Sequence, residues 1–223
     1  KSVLLGLDLG GTNIKSVLLD ARSLKVLVKR QIPTLAHLGS GAVIKILAGE
    51  IVFLLDHAGS RNIVVTAIGL GSAGLVNKGT VRNSPNLPGW QGAVSLERLL
   101  KKELQRLKIP LAIDNDANCF ALAETFCGAA KGFQNVVGLT LGTGVGGGLV
   151  LGGKLYRGST GGAGELGHTS IKYDGPLCKC GNRGCLEALV GSVAIVKRYN
   201  DLRFRNHLPL VPDITVAMIS ARA

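Results

Sequence analysis

Apolar positions along the chain alternate between strand-like runs and helix-like spacing. Ser2 to Leu7 is a short apolar run, Asp8-Leu-Gly-Gly-Thr-Asn-Ile-Lys15 turns the chain, and Ser16 to Asp20 resumes it, which predicts a β-hairpin followed by a third strand at Leu24 to Gln31. Val43, Ile44, Ile46, Leu47, Ile51, Leu54 and Leu55 fall at helical spacing and predict a helix over 41–57. The β-branched run from Ile63 to Leu70, bounded by glycine, predicts a buried strand that breaks at Gly69-Leu-Gly-Ser-Ala-Gly74. Ser95 to Lys108 is amphipathic, with Ser95 placed to cap a helix. A short strand from Leu111 then runs into Asp114, Asn115 and Asp116, ahead of a helix from Ala117 to about Cys127. Asn135 to Leu141 predicts another strand, Gly142-Thr-Gly-Val-Gly-Gly-Gly148 a turn, and Leu149 to Leu151 its return strand. Ala188 to Leu202 is helical, and a last helix opens at Ile214. Strands alternating with helices place the chain in the α/β class.

Composition agrees with a packed protein. Hydrophobic residues make up 46% and aromatics only 4%, so the core is one of Val, Leu, Ile and Ala, and 32 glycines signal tight turns. The 223 residues suffice for one large domain or two small ones. No apolar run is long enough to cross a membrane and no leader pattern opens the sequence, so the protein reads as cytoplasmic with no membrane partner. A net charge of +12 invites nucleic acid, yet Lys25 to Arg30, Lys101 to Lys108 and Lys197 to Arg205 spread it without interleaved aromatics. A basic surface that attracts polyanionic substrates fits better than a nucleic-acid partner.

Three groups of residues carry candidate chemistry. Gly10, Gly11 and Thr12 at the first turn could bring backbone N–H groups and a hydroxyl to a phosphate, with Lys15 as a cation and Asp8 holding Mg²⁺, although a bare Gly-Gly hairpin turn explains the same residues. The device recurs at Gly142, Thr143 and Gly144, and two such hairpins suggest two similar lobes closing on a nucleotide. Asp114, Asn115 and Asp116 stand where a strand meets a helix. One of them suffices as an N-cap, and a carboxylate at a strand's C-terminal end is placed for chemistry. The third group is the Gly-rich loop holding His168, Cys178, Cys180 and Cys185, whose ligand types fit a closed Cys₃His Zn²⁺ site flanked by Glu165 and Glu187. Cys119 and Cys127, in a helical context, read as buried reduced thiols. Asn83-Ser-Pro-Asn-Leu-Pro-Gly-Trp90, with the sole Trp, reads equally as a packed surface loop.

Taken in order, Asp8-Leu-Gly-Gly-Thr, Asn115-Asp116, Leu141-Gly-Thr-Gly-Val-Gly-Gly-Gly, Glu165-x-Gly-His168 and Cys178-x-Cys-Gly-x-x-Gly-Cys-x-Glu187 resemble the ROK family of repressors, open reading frames and sugar kinases. The resemblance covers essentially the whole chain. It implies the two-lobed actin-like, ribonuclease-H-like ATPase fold, with an N-terminal α/β lobe over 1–112 and a second lobe over 113–223. It also implies transfer of the γ-phosphoryl of ATP to the 6-hydroxyl of a hexose or N-acylhexosamine, with Asp116 as general base. Asn115, Glu165, His168 and Glu187 would bind sugar hydroxyls, with Gly74 and Asn86 lining the same pocket. Asp8, Gly10, Gly11, Thr12, Lys15, Gly142, Thr143 and Gly144 would contact Mg²⁺ or nucleotide phosphates. His168, Cys178, Cys180 and Cys185 would hold a structural Zn²⁺, and the assembly would be a homo-oligomer, a dimer or tetramer.

Two departures from the family pattern stand out. Ser72-Ala73 precedes Gly74 where many members have Pro, which bears on the sugar that fits. Family members also continue further, with another Gly-rich adenosine-binding segment, so the sequence reads as lacking the C-terminal part. The kinase most resembles the family's glucokinases, with an N-acetylmannosamine or N-acetylglucosamine kinase as the nearest alternative. A sugar-responsive repressor carries a winged helix ahead of the first phosphate loop, whereas seven residues precede Asp8. A non-catalytic zinc- and sugar-binding fragment is the remaining alternative.

Overall fold

The computed structural model describes residues 1–84, 87–90, 92–105 and 107–221. Asn86 lies outside the described residues. The chain divides into two compact units, Lys1–Cys119 with Thr160–Gly162, and Phe120–Ser159 with Ala163–Ala223.

The first unit is built on a five-stranded sheet. Strands β1 (Ser2–Leu9), β2 (Asn13–Asp20) and β3 (Val26–Pro33) form an antiparallel meander, while β4 (Val64–Ser72) runs parallel to β1, giving the order β3-β2-β1-β4-β8 once β8 (Leu111–Asn115) is added parallel to β4. Period-two alternation buries Val3, Leu5, Leu7 and Leu9 of β1. They share a core with Val43, Ile44, Leu47, Ile51 and Leu54 from one face of helix α1 (Ser40–Gly59). Each fully buried Leu or Ile there stabilises by about 1.5–3 kcal/mol. A second sheet of β5 (Leu75–Asn77), β6 (Thr80–Arg82) and β7 (Ala93–Val94) precedes helix α2 (Leu96–Glu103).

Helix α3 (Asp116–Cys127) follows β8 directly and continues into the second unit. That unit carries a second antiparallel meander, β9 (Val136–Leu141), β10 (Val145–Leu151) and β11 (Lys154–Tyr156). Helices α4 (Leu186–Val190), α5 (Ser192–Arg205) and α6 (Val216–Ser220) complete it. Thr215 caps α6, accepting a hydrogen bond from Met218 N at 3.3 Å.

Several sequence expectations change. Asp8 and Lys15 belong to strands, so the first turn shrinks to Gly10–Thr12; likewise Val145–Gly148 is strand, because glycine pairs in a ladder as well as it turns. The expected 188–202 helix is two helices separated by Gly191, whose extended backbone (φ −62°, ψ 155°) cannot continue a helix. Ser95 stands at the N-cap of α2 without a side-chain capping bond, and that helix ends at Glu103 instead of Lys108. Trp90 is 0% exposed and, with Leu87, belongs to the core, so these two side chains pin the described part of the 83–90 loop while Asn83, Pro88 and Gly89 stay exposed, as a packed surface loop would have them. Cys127, expected buried, is exposed at the end of α3, and Cys119 is half-buried. The compact division falls after Cys119, beyond the expected 112, because Leu111–Asn115 pairs with β4 and completes the first sheet. Among the described residues no helix is long and apolar enough to cross a membrane.

Candidate functional site

Three parallel strands end together in the first unit. Their register puts Asp8, Gly71 and Asp114 in one row and Leu9, Ser72 and Asn115 in the next. Gly71 faces the first turn of α3, where a Cβ would stand at ordinary packing distance, 3.5 Å from Asp116 Cα and 3.6 Å from Cys119 Sγ. The C-terminal edge of the sheet, where α/β folds place their ligands, therefore gathers Asp8, the Gly10–Thr12 turn, Asn115 and Asp116.

Asn115 is the helix cap among the three junction residues. Its Oδ1 accepts from Ala117 N at 2.9 Å and Asn118 N at 3.1 Å, and its Nδ2 donates to Gly74 O at 3.0 Å. Gly74 can make that contact only as glycine: φ is 101°, and a Cβ would stand 2.8 Å from Arg82 O. Asp114 is held inward, accepting from Asn115 N at 2.8 Å and Asn118 Nδ2 at 2.9 Å. Asp116 is left exposed, with Oδ1 accepting from Ala117 N at 2.9 Å. The cap and the exposed acid are thus different residues.

Asp8 pairs with Lys15 across the hairpin, 3.8 Å apart. Burial raises its carboxyl pKa, Lys15 pulls it down, and the Asp116 charge pushes it up again. Two carboxylates close enough to feel one another, one partly desolvated, fit a divalent cation such as Mg²⁺, whose charge would offset both penalties. Thr34 holds the adjoining turn from β3's end: its hydroxyl donates to Gly10 O at 2.7 Å and its N to Thr12 O at 2.9 Å. Sequence inspection misses Thr34, because nothing local links it to a turn more than twenty residues earlier. Asn118, 2% exposed, is missed for a different reason: its partner Asp114 is only four residues away, but a helix that also carries Asp116, Glu124 and Thr125 does not show which polar side chain turns inward.

In the second unit the ligand atoms of His168, Cys178, Cys180 and Cys185 all lie within 4.8 Å of one another. Cys180 Sγ and Cys185 Sγ are 3.7 Å apart, as are Cys178 Sγ and His168 Nδ1. A tetrahedral Zn²⁺ with thiolate and imidazole ligands has edges of roughly 3.5 Å, so the four fit the metal. Backbone bonds pre-shape the loop: Cys178 N donates to Asn182 O at 2.7 Å and Leu186 N to Thr169 O at 3.0 Å. Burial, with its two neighbouring thiols, pushes the Cys185 thiol up to about 11, while the Asn182 N–H above all lowers that of Cys180. With His168 Nδ1 turned to the thiols, Nε2 faces outward, 3.8 Å from Glu165 Oε2 on the exposed Glu165.

Glu187 opens α4, two residues past Cys185, and reaches the second glycine turn. Its Oε2 accepts from Val145 N at 3.0 Å, and its Oε1 lies 3.9 Å from Cys178 Sγ. Gly142 and Thr143 are exposed on this turn, and Thr143 and Glu187 border a groove of about 670 Å³ that Leu189, Val193, Lys197 and Arg198 also line. The structure thus groups Asp8, Gly10–Thr12, Lys15, Gly74, Asn115 and Asp116 in the first unit, and Gly142–Gly144, Glu165, Glu187 and the zinc ligands in the second.

A profile of the ROK family matches residues 4–219. A glucokinase of Thermotoga maritima is 38% identical over 213 residues, 95% of this chain and 64% of its own length, so the chain spans somewhat under two thirds of that relative. Among solved structures, a ROK hexokinase from Thermus thermophilus superposes with a TM-score of 0.77 at 37% identity, covering 97% of this chain and 67% of the other. A ROK transcriptional regulator homologous to the MLC protein of E. coli superposes with a TM-score of 0.83 at 28% identity, over 99% of this chain and 55% of the other. With the profile running over nearly all its residues and its structural neighbours sharing the actin-like ATPase fold, the chain belongs to the ROK family.

Proposed function

We propose that the chain carries the phosphoryl-transfer machinery of an ATP-dependent sugar kinase that phosphorylates the 6-hydroxyl of a hexose, glucose first among them. The observation that carries this reading is the shared edge of β1, β4 and β8, where an exposed Asp116 sits beside Asp8 and the Gly10–Thr12 turn. Phosphoryl transfer asks little covalent chemistry of the protein; it needs an oriented acceptor hydroxyl, a group to take its proton, and positive charge or N–H donors around the phosphates.

Asp116 is the general base. The Asn115 cap fixes the backbone from which it projects, so its free carboxylate oxygen can take the proton from the attacking hydroxyl. Asp8 would hold Mg²⁺ or its water shell, and the ion when bound would supply charge neutralisation at the transferring phosphoryl. Gly10, Gly11, Thr12 and Lys15, with Gly142, Thr143 and Gly144, serve the phosphates. The groove beside Thr143 suits the rest of a nucleotide, its lining offering Lys197 and Arg198 as cations and Leu189 and Val193 as apolar surface. Glu165, His168 Nε2, Glu187, Asn115, Gly74 and Asn86 serve the sugar, because carboxylates and imidazole accept from neighbouring hydroxyls and a missing partner penalises the wrong epimer. Zn²⁺ would be structural here: His168, Cys178, Cys180 and Cys185 would supply all four ligands, and the ion would serve to hold His168 in one orientation.

Incubating the chain with ATP, Mg²⁺ and a panel of hexoses and N-acetylhexosamines tests the reading directly. Glucose 6-phosphate is the expected product, and Asp116→Asn lowers turnover by about 10²–10⁴-fold. Undiminished turnover in Asp116→Asn overturns the base assignment. Preference for an N-acetylhexosamine replaces the sugar, and sugar-induced thermal stabilisation without turnover reduces the chain to a sugar-binding fragment.

A further inference from the structure

The second glycine turn and the zinc loop are joined by one side chain, that of Glu187. Glu187 Oε2 accepts from Val145 N at 3.0 Å. The space beside Gly144 is filled by that carboxylate, since a Cβ built on Gly144 would collide with Glu187 Oε2. The backbone around the contact is equally close: Ser192 N donates to Gly142 O at 2.9 Å, and a Cβ on Gly191 would meet Thr143 O at 3.2 Å. On the other side, Glu187 follows Cys185, whose neighbour Leu186 is bonded back to Thr169, and its Oε1 lies 3.9 Å from Cys178 Sγ.

We propose that Glu187 is a positioning residue for the second glycine turn, a strut through which the zinc loop sets the conformation of residues 142–145. Gly144 is then glycine because the strut needs the room, and not only because a phosphate approaches. A backbone N–H capped by a carboxylate is fixed in direction, so the remaining N–H groups of the turn are aimed before any ligand arrives. The strut stands on the geometry alone; its consequence, that the zinc loop governs affinity for the polyphosphate of a nucleotide as well as for sugar, rests on the kinase reading.

Hydrogen–deuterium exchange on the zinc-loaded chain, read at Val145, tests the strut. Glu187→Ala is expected to speed exchange there by about tenfold or more, the size expected for losing one hydrogen bond to a charged acceptor, with zinc content unchanged. Glu187→Gln keeps an acceptor oxygen and stays close to wild type. Gly144→Ala, which displaces the carboxylate from the opposite side, reproduces Glu187→Ala, and it decides the matter if Glu187→Ala fails to fold. Chelating zinc from the wild-type chain also speeds exchange at Val145. Unchanged exchange in Glu187→Ala and Gly144→Ala, or a Glu187→Gln variant as fast as Glu187→Ala, overturns the proposal.

The second measurement is the affinity of a non-hydrolysable ATP analogue without sugar, expected to fall about tenfold in Glu187→Ala and little in Glu187→Gln. Lost sugar affinity with unaltered Val145 exchange removes the strut and leaves the kinase reading standing. Faster exchange in a chain that binds no nucleotide in any form keeps the strut and removes the kinase reading.

Discussion

Arg30 on β3 clamps Glu50 on α1 through two hydrogen bonds, Nε to Oε1 at 3.0 Å and Nη2 to Oε2 at 3.3 Å. Glu50 is only 4% exposed and also accepts from Ser16 Oγ at 2.6 Å, while the Arg30 guanidinium stacks 3.9 Å from the centroid of Phe53. The carboxylate is tolerable inside the first unit because the Arg30 cation and the Ser16 hydroxyl together give it three donors. Removing the cation leaves a buried charge with one hydroxyl. Arg30→Ala is therefore expected to cost about 3 kcal/mol, seen as a lower urea midpoint with an unchanged slope.

On the kinase reading, Asp8 trades stability for function. Its folded pKa lies above the unfolded value of 3.8, so the folded state binds more protons than the unfolded one between those two values, and stability falls as pH rises through them. Below the unfolded pKa both states are neutral and nothing is lost. Asp8→Asn should accordingly melt higher than wild type at pH 7, match it near pH 3.5, and lose Mg²⁺-dependent turnover. Equal melting temperatures at pH 7 would contradict the burial cost assigned to this carboxylate.

Thr34 ties the first glycine turn to the end of β3. Thr34→Val keeps the shape and the backbone bond to Thr12 but leaves Gly10 O without its 2.7 Å donor. A loss of about 1 kcal/mol in stability is expected. On the kinase reading, a weaker nucleotide affinity with an unchanged rate at saturation should accompany it, because the turn would hold the phosphates without reacting. Steady-state kinetics separates the two.

The cysteine cluster predicts a pH-dependent metal affinity. Without metal the Cys185 thiol is held protonated up to about pH 11, so Zn²⁺ must displace that proton throughout the neutral range. Affinity therefore rises with pH between about 6.5 and 8, by up to tenfold per pH unit for each proton released. Competition with a chromophoric chelator reads it directly. About one Zn²⁺ per chain is expected, and Cys180→Ser should lose it together with sugar affinity. Sugar binding of wild-type strength in metal-free protein would contradict the structural role.

Much of this was legible in the residues themselves. Hydrophobic periodicity located the main strands and helices because burial of one face imposes a period whatever the fold, and the Cys and His spacing located the cluster because four ligands on one short loop meet locally. The glycine turns were visible for a similar reason, although their length was overestimated, since glycine alone does not say whether a segment turns or pairs.

What tertiary structure decided is which residue does which task. Asn115, Asp116 and Asp114 are adjacent and chemically alike, and only the row formed with Gly71 and the bond to Gly74 make one a cap, one an exposed acid and one an inward anchor. Thr34 and Glu187 belong to the same class. Their partners stand far off in sequence, and a hydrogen bond depends on distance in space, which only the packed sheet and loop bring to about 3 Å.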